Sequence, residues 1–206
     1  MIDTTKIIED CYLVRSSLLK TAFNSSGGQH LGGGLSMIEI MCTLYSSILN
    51  VSPETVNSID RDRFILSKGH GVLGFYPILH HYGFINDATY SSYKTAGSQL
   101  ISHPIKNTNY GIESSNGSLG HGLSYAAGIA CGLIRKLISA KVYVLLGDGE
   151  CNEGSVWEAA MSSSQLKLNN LTCIIDNNKL QSDGSTTDIS DDSNLASRWS
   201  AFGWNV

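Results

Sequence analysis

Proline is scarce in this 206-residue chain, with three residues set against 21 glycines. A flexible low-complexity linker is thereby excluded, and the glycines belong to an ordered fold. Charge is sparse as well: charged residues make up 16%, the net charge is −4 and there is no basic run. Neither nucleic acid nor an anionic membrane surface is therefore expected as the main partner. No uninterrupted apolar run approaches the roughly 18 to 20 residues of a membrane helix, and the opening MIDTTK carries no apolar signal segment, so the cytoplasm is the expected compartment. The five cysteines (Cys11, Cys42, Cys131, Cys151, Cys173) are odd in number and never spaced C-x-x-C. They suggest neither a disulfide framework nor a zinc site and read as reduced packing residues. There is no internal repeat. With 42% hydrophobic residues the chain is long enough for one domain with a real core.

Glycine is the excess, about one residue in ten against a usual share of about 7%. The glycines cluster at 27–34, 69–74, 111–122 and 147–154, each cluster at a junction between periodic segments. Glycine permits positive φ and close approach of backbone to a ligand; four tight turns would account for the same pattern.

Between the clusters the periodicity is legible. Residues 7–23 carry Ile7, Ile8, Cys11, Tyr12, Leu18, Leu19 and Ala22 at helical spacing. Ser36 and Glu39 have capping-box spacing ahead of a stripe of Ile38, Met41, Cys42, Tyr45, Ile48 and Leu49. Phe64, Ile65 and Leu66 form a short apolar run, a helix over 72–82 is closed by Gly83, and 119–137 reads as a long helix rich in small residues. The runs 142–146 and 171–175 are continuously apolar and β-rich, as buried parallel strands are, with a helix over 156–168 between them. This βαβ unit, with an expected right-handed crossover, predicts an α/β fold with a mostly parallel central sheet flanked by helices. Residues 188–194 read as a polar loop and 202–206 as the start of another strand.

In such sheets ligands bind beyond the carboxyl ends of the strands. Gly147-Asp148-Gly149 and Asn178 should emerge there side by side, although 30 positions separate Asp148 from Asn178. A carboxylate, an amide oxygen and backbone carbonyls are the hard ligands that magnesium or calcium accepts. The helix start that follows, near Glu153, offers N–H groups to an anion. Together they describe a site for a metal-bridged diphosphate. A dinucleotide fold is the competing reading, but Gly147, Gly149 and Gly154 do not match G-x-G-x-x-G.

The stretch GDGECNEGSVWEAAMSSSQLKLNNLTCIIDNNKLQSDG at 147–184 resembles the thiamine diphosphate motif of the transketolase family, which opens with GDG and closes with an asparagine pair. Other segments resemble the family in the same order: QHLGGGLS at 29–36, RDRFILSKGH at 61–70, SHP at 102–104 and ESSNGSLGHG at 113–122. The likeness spans essentially the whole chain, 1–206, as a thiamine diphosphate-binding domain that lacks its last strand or strands. By this resemblance Asp148, Asn178 and the carbonyl of Leu180 hold Mg2+ (or Ca2+), while Gly147, Gly149 and His70 contact the diphosphate. Gly117 and Leu119 line the aminopyrimidine, and Glu153 belongs to an acidic network joining paired active sites. His30 and His103 face the thiazolium carbon and the donor sugar and, with Glu153, are the candidate catalytic residues. Proton transfer from a sugar hydroxyl near neutral pH suits a histidine. His80 and His81, at a helix end, are expected to be structural. His121 replaces the family's glutamine, and Leu31 its proline after His30, which bears on loop rigidity.

The glutamate that activates the cofactor, and the residues that hold the sugar phosphate, lie in the family's second, pyrimidine-binding domain. Resemblance therefore implies the amino-terminal subunit of a split transketolase. It would transfer a two-carbon ketol group between sugar phosphates with a carboxy-terminal partner, two copies of each chain forming a heterotetramer. A specialised ketol or acyl transfer, the deoxyxylulose phosphate synthase type, and a non-catalytic scaffold are the alternatives.

Overall fold

The three apolar runs become three parallel strands. In the computed structural model, which describes residues 2–190 and 194–206, β1 (Arg63–Leu66), β2 (Val142–Gly147) and β3 (Leu171–Asp176) lie in the order β1-β2-β3. Both pairings are parallel, with Ile65 opposite Val144 and Gly147 opposite Asp176. The central strand β2 is buried along its whole length, which is why it shows no polar alternation.

Nine α-helices among the described residues flank or extend the sheet. They are α1 (Thr4–Asn24), α2 (Leu31–Leu35), α3 (Ile38–Thr43), α4 (Val72–His81), α5 (Asp87–Ser91), α6 (Gly122–Arg135), α7 (Gly154–Gln165), α8 (Thr186–Ile189) and α9 (Leu195–Ala201). A short antiparallel hairpin, β4 (Leu180–Gln181) with β5 (Gly184–Ser185), follows the sheet. Side chains alternate across the sheet with period two. Phe64, Leu66, Tyr143 and Leu145 pack with α1, α3 and α4 on one face; Ile65, Val142, Val144 and Leu146 pack with α6, α7 and α9 on the other. The α/β class and the parallel sheet are as expected.

Several local expectations change. Only Ile7, Cys11, Val14 and Leu18 of the apolar residues of α1 are buried, whereas Ile8, Tyr12 and Leu19 are exposed, because α3 and α4 cover one side of that helix. Ser36 caps nothing: Met37 precedes α3 without a side-chain bond, and the Ser36 hydroxyl donates to Asp176 Oδ2 at 2.6 Å, a buried carboxylate being the stronger acceptor. The glycine loop after His30 contains the helix α2, which continues through Ser36 toward α3 and a π-helical turn at Leu44–Ile48. This Leu31–Ile48 stretch reaches a mean hydropathy of 1.2 over 18 residues, but Ile38, Met41, Cys42 and Leu44 lie in the core and Glu39 pairs with Arg15.

The long helix starts at Gly122 rather than 119, because Gly120 has a left-handed backbone (φ 85°). It stops at Arg135, with Leu137 at φ 57°. α7 spans Gly154–Gln165 and Lys167 at φ 52° turns the chain. Part of the expected polar loop is the short helix α8, and 191–193 lie outside the described residues. Residues 202–206 form no strand: Gly203 (φ 86°) turns the chain, and Trp204 anchors there by donating from Nε1 to the Ala160 carbonyl at 3.0 Å. All five cysteines are free thiols.

Two glycines show how close approach, rather than turning, uses this residue. A methyl group at Gly74 in α4 would sit 2.4 Å from the Gly34 carbonyl oxygen of α2, so the two backbones touch directly. Gly128 in α6 faces open space. Gly74→Ala is expected to destabilise the fold by about 1–3 kcal/mol through overpacking. Gly128→Ala should be neutral or stabilise by up to about 1 kcal/mol. Urea unfolding of both variants checks the contrast.

Candidate active site

Each strand ends in a polar loop, and the three loops meet. After β1 come Ser67, fully buried Lys68, Gly69 and His70; after β2 come Asp148, Gly149 and Glu150; after β3 come Asn177, Asn178, Lys179 and Leu180. Lys68 forms a buried ion pair with Asp176, the last residue of β3. A fully desolvated ammonium needs such a partner. The pair also draws in Ser36 and so ties the start of α3 to the strand ends.

Asp148 is 1% exposed. Its Oδ1 accepts from the Gly149 N–H at 2.9 Å and its Oδ2 from the Lys179 N–H at 2.7 Å, and the second bond crosses the 31 positions between the loops. Lys179 makes this contact from a left-handed backbone (φ 67°). Asn178 Oδ1 accepts from the Leu180 N–H at 2.9 Å, closing the same turn. No ion pair reaches Asp148 among the described residues, so each carboxylate oxygen keeps a lone pair for a cation. No group of three or more His, Cys, Asp or Glu side chains among the described residues could hold a metal. The donors present are one carboxylate, one amide and one carbonyl, which suit a hard cation that takes its remaining oxygens from an anionic ligand.

Three imidazoles stand around the same opening. His30 precedes α2, His70 lies in the turn Gly69–Gly71, and His103 lies in the long connection before α6. The His30 ring centroid is 5.6 Å from that of His70 and 6.1 Å from that of His103. Burial, then the nearby Lys68 ammonium, pushes His70 down to about 4. His103 is lowered by burial and by His30.

A cavity of about 500 Å³ gathers these groups. Its wall contains His30, His70, His103, Gly117, Leu119, Gly147, Asp148, Gly149, Glu153, Asn178 and Leu180, the eleven positions singled out in the sequence. A family profile described as transketolase, thiamine diphosphate binding domain, matches residues 14–206. The chain belongs to the transketolase family.

Among transketolase relatives, it is 42% identical over 193 residues to one of the subunits of the apulose-4-phosphate transketolase of Actinobacillus succinogenes, covering 94% of this chain and 70% of that one. It is 37% identical over 180 residues to a 6-deoxy-6-sulfo-D-fructose transketolase subunit of a Clostridium species, covering 87% of this chain and 66% of that one. The solved transketolase of Campylobacter jejuni superposes with a TM-score of 0.85 at 25% identity, over 98% of this chain and 33% of the other. The chain thus spans about two thirds of the relatives named as subunits and about one third of the solved transketolase.

Departures from the family pattern are mild in structure. Leu31 occupies the first position of α2, where a proline is also tolerated, and His121 is exposed just ahead of α6 without a capping bond. His80 bonds Asp87 at 2.7 Å and His81 bonds Asp10 at 2.8 Å, both away from the cavity. A methyl group at Gly149 would lie 2.5 Å from Gln181 Oε1, so this glycine seats the β4–β5 hairpin.

Sequence reasoning missed Lys68, Asp176 and Glu150. Lys68 and Asp176 belong to motifs that carry the resemblance, but nothing in their spacing marks them as a pair. Glu150 is 2% exposed, and burial raises its pKa despite the bonds it accepts. The only signal was an acid directly after GDG, and Glu153 offers the same cue.

Because the folded state favours neutral His70 while the unfolded residue titrates near 6.5, the unfolded chain binds more protons between those values. The His70 contribution is present above about pH 6.5 and is lost as the pH falls toward about 4. His70→Gln is expected to flatten the acid loss of stability by about 1–2 kcal/mol after allowance for partial exposure. Denaturant titrations of both proteins at pH 4.5, 5.5 and 7 read the difference; identical pH slopes would contradict it.

Proposed function

We propose that this chain is the amino-terminal subunit of a split, thiamine diphosphate-dependent transketolase. With a partner chain carrying the pyrimidine-binding domain, it transfers a two-carbon ketol group from a ketose phosphate to an aldose phosphate. One observation carries the reading: residues from five separated motifs line one cavity, and Asp148 is bonded to the turn that carries Asn178. The Actinobacillus relative is named as one subunit of its enzyme, which supports a second chain here. We expect a heterotetramer with two copies of each.

Bound thiamine diphosphate supplies the carbanion sink for cleavage beside a ketone. The chain's own residues bind and orient. Asp148, Asn178 and the Leu180 carbonyl hold Mg2+, which accepts an oxygen set of this kind. The Gly149 N–H and neutral His70 face the diphosphate together with Gly147, and Gly117 with Leu119 flanks the aminopyrimidine. His30 and His103 act together in proton transfer from a sugar hydroxyl and in its recognition, and burial favours the neutral form of His103. Glu153, at the cavity rim next to Gly120, extends toward a neighbouring active site.

The domain itself we take to continue with a further strand on β3. That strand is an edge in this sheet although Cys173, Ile174 and Ile175 are apolar and only partly buried, and the nearby Trp199 indole N–H is buried without an acceptor among the described residues. Free thiols agree with a reducing compartment, the cytoplasm.

Titration of thiamine diphosphate with Mg2+ into the chain, with and without candidate partners, followed by a ketol-transfer assay, tests this. Magnesium-dependent binding is expected to weaken at least about tenfold in Asp148→Ala, with turnover only after a partner is added. Turnover by the isolated chain would overturn the split site, and undiminished binding by Asp148→Ala would overturn the metal assignment.

A further inference from the structure

Glu150 takes no part in the chemistry just described, yet three segments converge on its carboxylate. Its Oε1 accepts from the Ser67 hydroxyl after β1 and from the Gly120 N–H at 2.9 Å, and its Oε2 accepts from the Gly147 N–H at 3.1 Å. Ser67 Oγ in turn accepts from the Gly122 N–H at 3.1 Å, at the start of α6. The 117–122 loop and the end of β2 are thus referred to one buried anion. Gly120 is further held because its carbonyl accepts from Ser155 Oγ at 2.9 Å, and a methyl group there would lie 2.5 Å from that oxygen.

We propose that Glu150 is a positioning residue that sets the distance between the Gly117–Leu119 wall and the Gly147–Gly149 loop, and thereby matches the cavity to a ligand bearing both a flat ring and a diphosphate. This rests on reading the cavity as a thiamine diphosphate site. The physical reason is the count of donors. Three donors from separate segments require two oxygens that only accept, and a buried carboxylate meets that need with charge-assisted bonds. A glutamine of the same shape turns its NH2 toward at least one N–H, and losing either bond uncouples the two walls while the Asp148 contacts still hold the strand-end loop.

The discriminating measurement is calorimetric binding of two probes to the full chain, thiamine diphosphate and inorganic pyrophosphate, each with Mg2+. Pyrophosphate uses the strand-end loop alone; thiamine diphosphate needs both walls at once. Glu150→Gln is expected to weaken thiamine diphosphate at least tenfold while changing pyrophosphate less than threefold. Ser67→Ala, which leaves the carboxylate but removes one donor to it and the acceptor of the Gly122 N–H, should show the same bias at smaller size and serves if Glu150→Gln does not fold. Equal losses for the two probes, or no loss for either, would overturn the positioning role while leaving the cofactor reading intact. A wild-type chain that binds pyrophosphate but shows no gain from the thiamine ring would overturn the cofactor reading and the proposal together.

Discussion

The parallel register of β2 and β3 is the constraint on which the site depends. With Gly147 opposite Asp176, the chain leaves both strands at the same level, and residues 30 positions apart become neighbours. A parallel sheet places all its carboxyl ends on one side, so three loops with unsatisfied backbone groups are forced together. They are stabilised by anions that the loops themselves hold: Asp148 by two N–H groups, Glu150 by two more and a hydroxyl, and Asp176 by Lys68. Removing one partner from such a network strands a buried charge, which costs far more than the bond it made.

Polar satisfaction and close packing act on the same loops. Lys68 is fully buried, and the His70 ring lies over Gly33, where a methyl group would come within 2.7 Å of its Cδ2. The short helix α2 can approach α4 only because Gly34 and Gly74 meet without side chains. The excess of glycine therefore has two separate causes. Some glycines shape the cavity wall, as Gly117 and Gly147 do; others let helices touch behind it. The cavity is firm on this side because its back wall is backbone packed on backbone.

Burial favours the neutral forms of His70 and His103 at this opening. Asp148 keeps spare lone pairs and has no ion-pair partner among the described residues, and its oxygens are of the hard kind.

Much of the fold was legible in the chain. Continuous apolar runs ending in GDG and DNN announced parallel strands and the side on which the polar loops gather, because burial on both faces abolishes alternation in β2 and strand ends expose polar residues. Helix limits were less legible, since left-handed residues such as Gly120, Leu137 and Lys167 stop helices at points that periodicity does not mark. The capping signal at Ser36 failed because a carboxylate 140 positions away competes for its hydroxyl. By itself the sequence determined the fold class and the family, since these reside in local pattern and motif order, whereas it was the structure that drew the eleven motif positions around one cavity. Only the tertiary structure decided which buried charges pair, which glycines face backbone, and that Glu150 joins three segments, because each of those depends on groups brought together from distant positions.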